Sequence, residues 1–212
     1  MAAFDLEEQE RVDALKDWWK ENKTYIYVGF AAFIIAVAAV QGWRYYKAKQ
    51  ANRVAEAFAE FDKTVQAGDA KKIIDAAGKI QAEYPGSPYA AQAALTAARI
   101  AYEAKDTAAA EASLKWVAEK SASPQLQSIA RLRWAAVLLD QKKYDEALKL
   151  LDDNKDDAFL SLTADLKGDI YSAQGKAAEA RASYKLALDK ATPRAPSRQL
   201  IQIKLDALGE AK

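Results

Sequence analysis

The sequence holds no cysteine and no histidine among its 212 residues. Without cysteine no disulfide can brace the fold, although the chain remains compatible with oxidising and reducing compartments alike. Without histidine, Ser-His-Asp and Cys-His nucleophilic sites are excluded, as are zinc sites built from His or Cys. Only Asp, Glu, Lys and Tyr are left for proton transfer, and no Gly-rich phosphate loop is present. These absences argue against an enzyme and against any cofactor or small-molecule substrate. Glycine (8) and proline (5) are scarce and fall where helices would stop. The remainder is rich in Ala, Leu, Glu, Lys, Gln and Arg, all good helix formers, so the expected class is all-α. Charge of one sign is also lacking: the net charge is +1, which gives no case for binding nucleic acid.

One long apolar run is present. Tyr25 to Trp43 contains 19 residues and no charge. At about 1.5 Å per residue it spans roughly 28 Å, close to the hydrocarbon thickness of a bilayer. Trp18, Trp19, Tyr25 and Tyr27 precede or open it, and Trp43, Tyr45 and Tyr46 follow, as in an aromatic belt. Lys20, Lys23, Arg44 and Lys47 bracket it and can reach the interfaces. The expected anchor is a single transmembrane helix over 25–46, with Tyr25, Gly29, Gly42, Trp43, Arg44 and Tyr45 as its marker residues. A cleaved signal peptide, with Ala36-Val37-Ala38 as a cleavage site, fits poorly because seven acids precede the run. An interfacial helix fits poorly because there is no polar face; a buried core helix is the remaining alternative. Ala31, Ala32, Ala36 and Ala39 form small-residue pairs that could pack on another membrane helix, though Ala is also a common filler there.

Residues 1–24 form a tail in which Leu6, Val12, Leu15 and Trp19 recur at near-helical spacing, a pattern for a short amphipathic helix on the membrane surface or against a partner; a frayed, solvated tail is the alternative. Charge does not orient the anchor. Four Lys/Arg lie before it (Arg11, Lys16, Lys20, Lys23) and four just after (Arg44, Lys47, Lys49, Arg53), so the positive-inside rule returns a tie.

Beyond the anchor, residues 47–212 alternate helix-length periodic runs with short breaks. The expected helices are 49–67, 69–83, 88–104, 106–120, 124–141, 144–153, 157–174, 176–190 and 197–208. Gly68-Asp69, Pro85-Gly86-Ser87-Pro88, Ser123-Pro124 and Pro193 to Ser197 carry the stop and start chemistry. Short loops force consecutive helices to be antiparallel neighbours. Gly168, Tyr171, Ala180, Tyr184, Ala187 and Leu188 are spaced like a tetratricopeptide repeat: small residues where two helices cross, large ones filling the gaps. A second copy has Ala135 and Leu138, then Tyr144-Asp145-Glu146-Ala147 and Leu150-Leu151. A third centres on Glu111-Ala112 and Trp116, and its first helix, Ala90 to Tyr102, fits only with a one-residue slip. A degenerate pair over 49–83 precedes them, and 197–208 reads as a capping helix. The architecture expected is a right-handed stack of helix hairpins; a plain helical bundle is the alternative.

In such arrays the first helix of each pair lines the inner face. By the pattern these positions are Leu132, Ala136, Leu139 and Asp140 in one repeat and Asp165, Asp169 and Ser172 in the next. Together they predict an apolar floor with an acidic rim, a candidate groove for an extended or helical partner segment. The bland reading makes the leucines ordinary core and the acids a solvated face. Asp165 and Asp169 also invite a catalytic dyad or a Ca²⁺ site, and Asp152, Asp153, Asp156 and Asp157 cluster acids too. EF-hand spacing is absent, so these read as solvated loops and faces.

Three features resemble one family over nearly the whole chain, the YfgM-like ancillary subunits of the bacterial SecYEG translocon. They are the acidic-then-aromatic tail from Gln9 to Asn22, the membrane exit Gly42-Trp43-Arg44-Tyr45-Tyr46, and the degenerate repeat array. The resemblance implies a single-pass inner-membrane protein with a cytoplasmic N-terminus and a periplasmic repeat domain. It implies association with SecYEG, with a PpiD-type periplasmic chaperone and with exported client proteins, and a link to envelope stress signalling. A scaffold or assembly factor for another envelope complex (outer-membrane proteins, cell-wall enzymes or cytochromes) would have the same fold.

Overall fold

The computed structural model describes the backbone of residues 2–209 and the side chains of 7–209. The tail position Leu6 therefore lies outside the described side chains. The chain divides into two compact units, 1–53 and 54–212.

In the first unit the backbone is helical throughout the described residues, as part of helix α1, Ala2–Ala67. The tail, the apolar run and the helix expected from residue 49 are thus one element, because no Gly-Pro punctuation interrupts them. α1 is the one described helix long and apolar enough to cross a membrane, and none of its apolar window is buried. Phe30, Phe33, Ile35 and Val40 are exposed in different directions around it. An uncovered apolar surface on all sides is unstable in water and suited to lipid. The marker residues Tyr25, Gly29, Gly42, Trp43, Arg44 and Tyr45 are all exposed. At the edges of the run, Trp19 meets Tyr27 edge-on at 6.2 Å, and Lys47 Nζ lies 5.3 Å over the Trp43 ring. In the tail, Lys16 pairs with Asp13 and Lys20 with Asp17, leaving Val12, Leu15 and Trp19 exposed.

The second unit begins at Val54, the first buried residue among those described. The end of α1 leads into α2 (Ala70–Glu83), α3 (Pro88–Glu103), α4 (Thr107–Lys120), α5 (Pro124–Asp140) and α6 (Tyr144–Asp152). A short 3-10 turn, Asp157–Phe159, then precedes α7 (Leu160–Ala173), α8 (Ala177–Lys190) and α9 (Ser197–Ala207). No strand occurs among the described residues. The starts are set by side chains that accept a hydrogen bond from the first turn: Asp69 from Lys72 N–H, Ser87 from Tyr89, Asp106 from Ala109 and Ser123 from Leu126.

The first helix of each hairpin ends on a residue in the left-handed region. These are Gly68 (φ 78°), Lys105 (66°), Lys142 (61°) and Gly175 (73°). Three of these turns share one bond pattern. The N–H groups of Lys105, Lys142 and Gly175 donate to Tyr102, Leu139 and Ser172 carbonyls, and the next N–H in each case donates one residue further back. That is the Schellman closure, repeated hairpin after hairpin.

Packing is sequential. One cluster joins Val54 and Phe61 of α1 to Ile73, Ala77 and Ile80 of α2 and Ala90, Ala93 and Ala97 of α3. The next uses Ala91, Ala94, Val117, Ala118 and Ala130 across α3, α4 and α5. Ala135, Leu138, Ala147, Leu151 and Ile170 then link α5, α6 and α7, and Ala164, Ala180, Tyr184, Ala187 and Ile201 link α7, α8 and α9. Each layer touches only its neighbours, as in a solenoid. The Tyr184 ring fills the space left by Gly168: a Cβ there would lie 2.5 Å from Cδ1 and 2.9 Å from Cζ of that ring. Helix α9 covers the last hairpin.

Candidate partner-binding cleft and the ionic latch of the capping helix

A cavity of the repeat unit lies where α3, α4 and α5 meet. It is a cleft of about 410 Å³. Leu95, Ala98, Arg99 and Tyr102 of α3 form one wall, one turn apart as helical periodicity requires. Arg133, Ala136, Val137 and Asp140 of α5 form the other, and Leu114 of α4 closes the floor. The floor is therefore aliphatic and the polar groups sit at the rim. Tyr102 Oη donates across the cleft to the Asp140 carboxylate. This bond and the adjacent negative charge raise the Tyr102 hydroxyl above the usual tyrosine value. Arg99 reaches Glu103 at 2.9 Å, an exposed pair of the kind that contributes little. Arg133 makes no ion pair or side-chain hydrogen bond among the described residues.

The expected groove residues separate into three places. Ala136 and Asp140 line this cleft. Leu132 and Leu139 do not; they pack, partly buried, against the core shared by α5, α6 and α7. Asp165 and Asp169 lie on α7 and meet α9, while Ser172, one turn on, is exposed. Lys204 Nζ bridges the two carboxylates, 2.9 Å from Asp165 Oδ1 and 2.7 Å from Asp169 Oδ2. Tyr184 Oη donates to Asp169 at 2.7 Å. The acidic rim expected from spacing is answered from within the chain.

Burial pushes the Asp165 carboxyl above the ordinary carboxylate value and outweighs the opposing pull of Lys204. Burial works against the Lys204 ammonium, but the hydrogen bonds to Asp169 and Asp165 prevail and raise it above the ordinary lysine value. Burial, then the bond to Asp169, raises Tyr184 well beyond the usual tyrosine range. Among the other acids, Asp152 pairs with Lys167 at 2.6 Å, and Asp156 accepts from Ala158 N–H to open the 3-10 turn.

The sequence pattern placed Ala136 and Asp140 of the α5 wall in a groove but not Arg133 and Val137 beside them. It missed Leu95, Arg99 and Tyr102 because α3 fits the repeat only with a slip. The signal was there in the i, i+3/i+4, i+7 spacing of Leu95, Ala98/Arg99 and Tyr102.

The family model described as a tetratricopeptide repeat-like domain matches residues 16–210. A Neisseria gonorrhoeae protein named ancillary SecYEG translocon subunit is 37% identical over 210 residues, 97% of this chain and 99% of its own length. A Haemophilus influenzae protein of the same name is 35% identical, covering 87% of this chain and 90% of its own. The Escherichia coli protein of that name is 29% identical over 95% and 96%. A solved structure titled MamA RS-1 ArsTM double mutant superposes with a TM-score of 0.53 at 16% identity, covering 73% of this chain and 83% of that one; it speaks to the fold alone. The chain belongs to the tetratricopeptide repeat-like family of ancillary SecYEG translocon subunits, the YfgM-like proteins.

Proposed function

We propose that this protein is a non-catalytic subunit anchored in the bacterial inner membrane beside the SecYEG channel, where its repeat unit binds partner and client proteins. The observation that carries the reading is the end-to-end similarity to relatives named as translocon subunits, 97% of this chain against 99% of one of them. Such coverage includes the apolar run, so anchor and array are similar as one unit. In this reading α1 crosses the bilayer once over its apolar run, residues 1–24 are cytoplasmic and residues 47–212 are periplasmic. The α3–α5 cleft, with Ala136 and Asp140 in its wall, receives segments of a PpiD-type chaperone or of exported chains. Binding without chemistry suits a chain that offers neither His nor Cys. A link to envelope stress signalling follows if partners compete for the array.

Native membranes solubilised in mild detergent, followed by capture on a C-terminal tag, test the proposal. Recovery of channel subunits together with a periplasmic chaperone supports it. Recovery of a different envelope complex with no channel subunit assigns the chain to that complex instead. Topology is read separately from the absence of cysteine: a single cysteine at Ser172 should react with a membrane-impermeant maleimide from the periplasmic side in spheroplasts, and a single cysteine at Glu8 should not.

A further inference from the structure

We infer that the α3–α5 cleft reads a specific chemistry: an extended segment of another protein that places one bulky apolar side chain between the walls and a carboxylate against Arg133. The inference rests on reading the array as a partner-binding surface and names what that surface selects.

The cleft is lined by two cations, Arg99 and Arg133, and one anion, Asp140. Asp140 is already occupied, because Tyr102 crosses the cleft to donate to it. Its charge is partly spent on a neutral group of the same protein, and that bond ties the two walls together at one end. Arg133 stands seven residues before Asp140 on the same helix, roughly 10 Å along the axis. It has no carboxylate of its own among the described residues. Arg99 lies one turn from Tyr102 on α3 and is answered by Glu103. The cleft is therefore polarised, with a closed end at Tyr102–Asp140 and an open basic end at Arg133.

Between these ends lie Leu95, Ala98, Leu114, Ala136 and Val137. No hydrogen-bonding side chain sits among them, so a polar side chain inserted there would lose its water without compensation. The volume of about 410 Å³ falls within the range of pockets that bury a ligand group. Ala98 and Ala136 face each other across it and keep it open. A basic segment is disfavoured by Arg133. A neutral apolar segment fills the floor and leaves Arg133 unanswered. An apolar residue followed by an acid satisfies both, and the guanidinium fork gives the pairing a defined geometry.

The experiment uses the full chain in nanodiscs and labelled peptides in a Gly/Ser/Gln background, read by fluorescence anisotropy. One peptide carries Phe-Asp, and its controls carry Phe-Asn, Gly-Asp and Phe-Lys. The expected result is that Phe-Asp binds about fivefold or more tighter than each control at low salt, with the advantage shrinking as salt is raised. Arg133→Glu, an exposed change that leaves the core untouched, should abolish the preference for Asp and favour the Phe-Lys peptide. Ala136→Trp should block every Phe peptide, with circular dichroism confirming that the helices persist. Equal binding of Phe-Asp and Phe-Asn overturns the inference, and so does a preference that survives Arg133→Glu. Absence of measurable binding by Phe-Asp overturns it as well. Channel subunits co-purifying normally with Arg133→Glu, alongside a failed peptide assay, would remove this inference alone. Loss of co-purification from the unaltered chain would instead remove the translocon reading.

Discussion

Gly168 and Gly78 are both helical glycines with opposite expectations. At Gly168 a methyl would run into the Tyr184 ring, 2.5 Å from Cδ1. That ring is buried and held by Asp169, so it cannot swing aside. Gly168→Ala should therefore lower stability by about 1–3 kcal/mol despite the better helix propensity. At Gly78, inside α2, an added Cβ meets nothing within 4 Å. Gly78→Ala should raise stability by about 0.5–1 kcal/mol. Urea unfolding of the two variants side by side checks both signs. Lys105 and Lys142 present the converse case. They hold φ of 66° and 61° at the Schellman positions that Gly68 and Gly175 fill elsewhere. Replacing either by Gly should add about 0.5–1 kcal/mol, because the strain relieved exceeds the chain entropy conceded. The Gly168–Tyr184 contact was legible in the sequence, since a small residue and an aromatic at repeat spacing have few other reasons to recur. The left-handed lysines showed only as interruptions of apolar periodicity between 103 and 107 and between 140 and 144, because no residue type marks them.

At the scale of elements, α9 is held down by Lys204 between Asp165 and Asp169. Lys204→Ala leaves two partly buried carboxylates facing one another and the cap without its ionic contact. A loss of about 1–3 kcal/mol is expected, read as faster hydrogen exchange and earlier proteolysis in α9 than in α3. The latch also sets a pH dependence. Lys204 is raised above its ordinary 10.5, so its contribution is complete below that value and lost as pH rises through the folded one. Tyr184 is raised above its ordinary 10.0, and the protonated phenol it favours is lost in the same direction. Stability should thus fall as pH climbs above about 10, and the fall should be shallower in a Lys204→Met, Tyr184→Phe double variant. Asp165 acts in the opposite range. Its raised value means that the cost of burying its charge grows as pH increases through the carboxylate region. Several element boundaries were legible because Pro88, Pro124, Ser87, Ser123 and Asp69 announce helix starts chemically. The latch was not: Lys204 lies 35 and 39 residues from its partners, and nothing local in α9 distinguishes it from a solvated lysine. For the same reason the acidic rim read from α7 alone looked open.

At the scale of the whole molecule, two units meet different solvents by composition. Residues 54–212 bury a chain of small clusters one layer at a time, and no layer depends on distant sequence. Residues 1–53 bury nothing of their apolar run, a surface suited to lipid. The apolar run was fully legible, as an uncharged stretch long enough to cross a bilayer. Its direction was not, because four cations stand on each side. The partner was legible only through resemblance, since repeats of this kind specify a surface and leave its ligand to the rim residues. The central claim is that this anchored array sits at the SecYEG channel, and the most direct test is contact within intact membranes. A photo-crosslinking amino acid placed at Phe30, Phe33 or Val40, one at a time, is irradiated in cells and the adducts are identified by mass. The account predicts channel-subunit adducts from at least one face of the helix. Adducts with lipid alone from all three positions, or with another envelope complex, would contradict it.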